Sequence, residues 1–267
     1  MMGFISKLDA AIAKNNSLVC VGLDPDPEKL PEEFKATDKP LYEFNKSIID
    51  ATHELVCAYK PNSAFYEALG AEGIQQLKET CDYIKQNYPD IPIILDAKRG
   101  DIGNTNDKYA QFAFDYLQAD AITLQPYQGG EALQSFFNYK DKGLIILAKT
   151  SNEGSNEFQN LELNGKPLFE YVVETFMGNW NQNNNIAFVG GATYPAELKR
   201  IREIAGNETL ILVPGIGAQG GNLEAMLKAG LTSQGKGLVI NSSRGIIYSD
   251  NPAQTTEELK TQINQHR

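Results

Sequence analysis

The chain has 267 residues and a formal net charge of −10, long enough to bury a full core in one domain, since α/β barrels run to about this length. An acidic balance with no lysine or arginine run argues against a nucleic-acid partner and leaves room only for a small anion gripped locally. Two histidines, His53 and His266, and three cysteines with no CxxC pair take away the usual base of a nucleophilic triad and the usual ligands of a metal centre. Cys20, Cys57 and Cys81 sit in apolar patterns and read as reduced core residues.

Near the amino terminus the apolar stretch 4–13 is interrupted by Lys7 and Asp9, too short and too charged for a signal peptide or a membrane span. The expectation is a soluble protein that stays in the cytoplasm, with no membrane partner. A first apolar run, 17–24, ends in Val21-Gly22-Leu23-Asp24, and a second, 55–62, ends in Tyr59-Lys60-Pro61-Asn62. Ile74, Leu77, Cys81 and Ile84 then recur at three-and-four spacing, the stripe of a helix lying on a sheet. The third run, 91–98, carries Asp96 and Lys98 at its end and is followed by Arg99-Gly100-Asp101.

Further runs follow at 121–127, 143–150, 185–192, 209–217 and 237–245. The fifth ends in Lys149-Thr150-Ser151-Asn152, and a polar stretch of lid length separates it from the next helix, near Leu168. The seventh passes into Val213-Pro214-Gly215-Ile216-Gly217-Ala218-Gln219-Gly220-Gly221, and the eighth into Asn241-Ser242-Ser243-Arg244-Gly245. Asn251 and Pro252 mark the start of the last helix, as cap and first-turn residue.

Strands that are apolar throughout are buried on both faces, as in parallel sheets covered by helices. Eight strand and helix units close most naturally into a (β/α)8 TIM barrel, a single domain over 1–267, with a doubly wound open sheet as the alternative. A barrel places its chemistry at the carboxyl ends of its strands, which is where the polar residues fall.

Residues two apart on a strand share a face, so Asp96 and Lys98 point the same way, and the Arg99-Gly100 turn brings Asp101 near them. An ammonium held between carboxylates stays protonated, which suits a cation or proton donor rather than a base or Schiff-base nucleophile. With neighbouring strands about 4.8 Å apart, Asp24, Lys60, Asp96 and Lys98 can form one alternating array. The glycine-rich turn after the seventh strand, with Gly217 and Gly220, and Arg244 after the eighth stand where barrels often hold a phosphate monoester. Ser151, at the start of the polar stretch, can hydrogen-bond a polar ring edge.

With Asp-x-Lys-x-x-Asp and Pro-Gly-x-Gly-x-Gln-Gly at these strand ends, the chain resembles the orotidine 5′-phosphate decarboxylases over nearly its whole length. The long stretch 25–40, Lys60-Pro61-Asn62 and Gln125-Pro126-Tyr127 resemble a longer-chain, bacterial-type branch. The resemblance implies decarboxylation at C6 of orotidine 5′-monophosphate to give uridine 5′-monophosphate, with no metal and no organic cofactor. It implies a homodimer in which Lys60, Asp96 and Lys98 act with Asp101 of the partner subunit, and in which Thr105 also crosses. It further implies that Asp24 and Lys60 hold ribose hydroxyls, Ser151 reads the pyrimidine, and Gln219 with Arg244 binds phosphate.

Two other readings share much of this pattern. One is a magnesium-dependent sugar-phosphate decarboxylase or hexulose-phosphate synthase, which carries the same Asp-x-Lys-x-x-Asp. Lys60 speaks against it, because a cation at the end of the second strand disfavours a second cation nearby. The other is a catalytically silent phosphosugar-binding barrel, which has no need of a lysine pinned by carboxylates.

Overall fold

The structure is a computed structural model that describes residues 2–216 and 222–267. Eight parallel strands form its centre: β1 (Val19–Leu23), β2 (Ala58–Pro61), β3 (Ile94–Arg99), β4 (Ala121–Leu124), β5 (Gly143–Lys149), then β8 (Ile186–Gly190), β9 (Ile211–Pro214) and β10 (Leu238–Ser242). Their order is β2-β1-β10-β9-β8-β5-β4-β3, so each strand lies beside its successor in the chain, with β10 returning to β1. The bridges Tyr59↔Ile93 and Asn62↔Asp96 join β2 to β3 and close the sheet into a barrel. The doubly wound alternative is thereby set aside: the strand order is cyclic.

Most strands are shorter than their apolar runs, although β3 extends one residue past its run, to Arg99. The eighth run stops as a strand at Ser242, and Arg244 opens a four-residue helix, Arg244–Ile247. A two-stranded hairpin, β6 (Glu162–Leu163) with β7 (Lys166–Pro167), and a 3-10 turn, Glu153–Glu157, occupy the polar stretch after β5. That stretch therefore carries its own local structure.

Helices cover the outer face because their apolar stripes match it. In the helix Gly70–Asn87, Leu77, Cys81 and Ile84 are fully buried. The helix Pro252–Asn264 starts as expected, the Asn251 side chain accepting the Gln254 N–H at 3.1 Å ahead of Pro252. The first helix, Phe4–Asn15, crosses the amino-terminal end of the barrel: Lys7 pairs with Asp120 before β4, and Asn15 donates to the Val56 carbonyl before β2. Phe4 lies so close beneath Gly143 that a Cβ there would stand 2.2 Å from the ring, which leaves glycine as the residue that fits. All three cysteines are free and buried, as expected, and burial pushes the Cys20 and Cys81 thiols up to about 12, so they remain protonated. Among the described residues no helix is long and apolar enough to cross a membrane.

Candidate active site

Strands β2, β3 and β4 build one wall of a cavity at the carboxyl end. On β2 the Tyr59 hydroxyl turns outward to the Ile49 carbonyl of a covering helix, so the next residue, Lys60, turns into the barrel. Lys60 is 3% exposed, and its Nζ donates to Asp96 Oδ2 at 2.8 Å. The other oxygen, Asp96 Oδ1, accepts from Lys98 Nζ at 2.7 Å and from the Thr123 hydroxyl at 2.9 Å.

The arrangement reverses one expectation. Within a single chain it is the carboxylate of Asp96 that lies between two ammoniums, and Lys98 has Asp96 as its ion-pair partner among the described residues. Asp101 does not reach Lys98 in its own chain. Its carboxylate accepts the Ile102 N–H at 2.7 Å, and its backbone is tied at both ends to the Asn106 side chain. Thr105 lies exposed on the helix Gly103–Ala110 that follows.

Burial alone would lower the Lys60 ammonium and raise the Asp96 carboxyl. Attraction outweighs burial at both: Asp96 and Asp24 hold Lys60 above the usual lysine range, and Lys60 with Lys98 holds Asp96 well below the usual carboxylate range. Asp24, just past β1, has one carboxylate oxygen, Oδ1, buried without a hydrogen-bond partner. Asp24 is not among the residues that line the cavity, and its open acceptor is an unmet hydrogen-bonding capacity in the first strand's end.

Lys98 owes its position to an irregularity. Leu95 pairs with Ile122 and Arg99 with Leu124, so residues 96, 97 and 98 face Thr123 alone. In this bulge Lys98 takes a left-handed backbone, φ 46°, and its N–H donates to Thr123 Oγ1 at 2.9 Å. The Lys98 ammonium is thus presented to the cavity with its side chain about half exposed.

The cavity has a volume of about 440 Å³, within the range of small-molecule sites. Opposite the charged wall stand Leu147, Val189 and Leu212 from β5, β8 and β9, and the loop after β5 contributes Ser151, Phe158 and Gln159. Ser151 therefore lies where the sequence placed it, with its carbonyl accepting from Thr193 Oγ1 at 3.0 Å. Arg244 is exposed and lines a different groove, with Lys29, Phe34, Phe44 and Tyr248. Gly217, Gln219 and Gly220 lie outside the described residues.

Sequence reasoning missed Thr123 and the anchoring role of Lys149. Lys149 is fully buried; its Nζ donates to Ser155 Oγ at 3.0 Å, Asn156 Oδ1 at 2.8 Å and Asn160 Oδ1 at 3.0 Å, and lies 4.3 Å from the centre of the Tyr194 ring. It fastens the cavity-lining loop without a carboxylate, and burial lowers its pKa. A charged residue within an apolar run was the available signal for Lys149; Thr123, an ordinary strand former, gave none.

Among the described residues, no group of three or more His, Cys, Asp or Glu is placed to hold a metal ion. The site instead offers a fixed cation pair around one carboxylate.

Known proteins show the same arrangement of strands. Residues 17–259 match the family model described as Orotidine 5′-phosphate decarboxylase / HUMPS family. The chain is 51% identical over 252 residues to the orotidine 5′-phosphate decarboxylase of Cellvibrio japonicus, covering 94% of this chain and 91% of that one. It is 45% identical over 273 residues to that of Ralstonia nicotianae, covering the whole of both. The structure of Leishmania donovani OMP decarboxylase superposes with a TM-score of 0.88 at 42% identity, covering 99% of this chain and 98% of that one. Leishmania donovani UMP synthase superposes with a TM-score of 0.90 at 44% identity over 99% of this chain, which spans 56% of that longer protein. On fold, strand-end charges and identity along nearly its full length, the chain belongs to the orotidine 5′-phosphate decarboxylase / HUMPS family.

Proposed function

We propose that the chain decarboxylates orotidine 5′-monophosphate to uridine 5′-monophosphate in pyrimidine biosynthesis, with Lys98 as the proton donor. The bond from C6 to the carboxylate breaks, carbon dioxide departs, and the electron pair left at C6 takes a proton from the Lys98 ammonium. Solvent then restores the lysine's proton. The observation that carries this reading is the chain of ion pairs from Lys60 through Asp96 to Lys98 along the cavity wall. Asp96 keeps the lysines charged and aimed, so negative charge developing at C6 meets a cation already in place.

Other groups take supporting roles. Asp24, with its open Oδ1, and Lys60 hold ribose hydroxyls, and Ser151 reads the polar edge of the pyrimidine. Arg244 and Gln219, with Gly217 and Gly220, grip the phosphate. Binding energy from that remote group orders the charged wall, so a substrate lacking phosphate loses turnover as well as affinity. The reaction needs neither metal nor organic cofactor, since the ammonium does the work of a Lewis acid.

The working unit is a homodimer, with Asp101 and Thr105 completing the partner's site. Asp101's freedom from ion pairs in its own chain among the described residues supports this, as does the 62% exposed Ile102 beside it. The place of action is the cytoplasm, with the free nucleotide as substrate and neither nucleic acid nor membrane as partner.

The test is to incubate chelator-treated protein with orotidine 5′-monophosphate and follow loss of the orotate absorbance, beside a Lys98→Ala control. Rapid turnover absent from the control is the expected result. Turnover only of sugar phosphates with added magnesium would move the chain to the other branch of its family. Tight nucleotide binding without turnover of either would leave a binding barrel.

A further inference from the structure

We propose that Thr123 is the positioning residue that fixes where Lys98 presents its proton, an inference that rests on Lys98 being the donor. Three residues of β3 face Thr123 alone, so the backbone of β4 has no ladder partner to offer the Lys98 N–H. The Thr123 hydroxyl fills that gap, accepting from Lys98 N at 2.9 Å. Its single proton goes to Asp96 Oδ1 at 2.9 Å, and the same Oδ1 accepts from Lys98 Nζ at 2.7 Å.

These contacts close a ring. A lysine ammonium rides on a four-carbon stem with free rotations and is ordinarily fixed at its root alone. Here one hydroxyl holds both the root, through the backbone N–H, and the acceptor at the tip, through Oδ1. It also stabilises the left-handed backbone of Lys98 that the bulge demands. Thr123 acts on the reaction through Lys98 and Asp96, and it is 1% exposed although it lines the cavity.

Valine matches threonine in shape, suits a buried parallel strand, and deletes the hydroxyl alone. Serine keeps the hydroxyl. The experiment measures kcat, KM and Tm for wild type, Thr123→Val, Thr123→Ser and Lys98→Ala with orotidine 5′-monophosphate. It also follows exchange of the C6 hydrogen of uridine 5′-monophosphate in heavy water, which reads the proton donor without the decarboxylation step. Thr123→Val is expected to lose roughly 10- to 100-fold in kcat, the effect of one hydrogen bond to a charged group. KM should stay within about threefold, exchange should fall in parallel with kcat, and Thr123→Ser should recover most of both.

A valine variant with full kcat and exchange, or a serine variant as impaired as valine, would overturn the proposal. So would a loss of kcat explained by a fall in Tm with exchange per folded molecule unchanged. Lys98→Ala separates the two levels of the argument: if that variant turns over normally, the donor assignment fails. If it is inactive while Thr123→Val is not, only the role of Thr123 fails.

Discussion

Lys60 and Arg202, buried at opposite ends of the barrel, are held in opposite ways. At the carboxyl end Lys60 is neutralised by Asp96, and the pair continues to Lys98 at the cavity surface. At the amino end the buried Arg202 meets no carboxylate among the described residues. Its guanidinium donates instead to the carbonyls of Gly206, Thr209, Gly230 and Gly237, and burial lowers it to about 10, still protonated at neutral pH. Arg202 thereby ties the ends of two helices to the starts of β9 and β10, using dipoles that the fold already presents. Carbonyl dipoles suffice to hold a charge still; paired full charges are needed where a charge must face a ligand. The difference separates a lysine tied into the array along the cavity from an arginine that fastens the frame.

Substitutions at the two ends should therefore fail differently. The largest effect is expected for Lys98→Ala, with turnover reduced by roughly 10³-fold or more in a steady-state assay and Tm little changed, because the side chain is half exposed and removes a donor rather than a core contact. Asp96→Asn should lose both turnover and about 3–5 kcal/mol of stability by urea titration, since it leaves Lys60 buried beside a neutral group. Arg202→Ala should lose a similar stability, about 3–5 kcal/mol, by removing the donor that four carbonyls share and orphaning those of Gly206, Thr209 and Gly230, while kcat per folded molecule holds. A fall in kcat for Arg202→Ala would erase the distinction between the ends.

Acidity gives a finer probe. The folded pKa of Asp96 lies below its unfolded value, so its contribution is complete above about pH 3.9 and is lost as pH falls below that, toward the lowered value. The stability gap between wild type and Asp96→Asn should shrink from pH 5 to pH 3. Lys149 runs the other way and gives the smallest effect. Its folded pKa is lowered, so the unfolded chain holds more protons as pH rises toward about 10.4, and wild type should gain stability over Lys149→Met between pH 8 and pH 10. Parallel pH curves for the two proteins would show that Lys149 is not held as a buried cation.

Much of this was legible in the residues. Continuous apolar runs announced parallel strands, and charges closing those runs announced Asp24, Lys60, Asp96 and Lys98, because a charge at the end of a buried segment has little reason to be there for packing. Thr123 was not legible, since threonine is an ordinary strand former and its use here depends on a register shift in the neighbouring strand. Arg202 sits in Leu198-Lys199-Arg200-Ile201-Arg202, which reads as an ordinary solvated helix face; its partners are carbonyls as far as 35 residues away. Asp101 read as close to Lys98, and the fold of one chain turns it away toward its own backbone.

The barrel's closing seam has one more consequence. Every other neighbouring pair of strands shares a ladder, but β2 and β3 meet through the bridges Tyr59↔Ile93 and Asn62↔Asp96. The ion pair of Lys60 with Asp96 spans that same seam. It acts as a clasp, and a clasp that opens takes the charged array apart with it. Breaking that pair would weaken the seam and the charged array together.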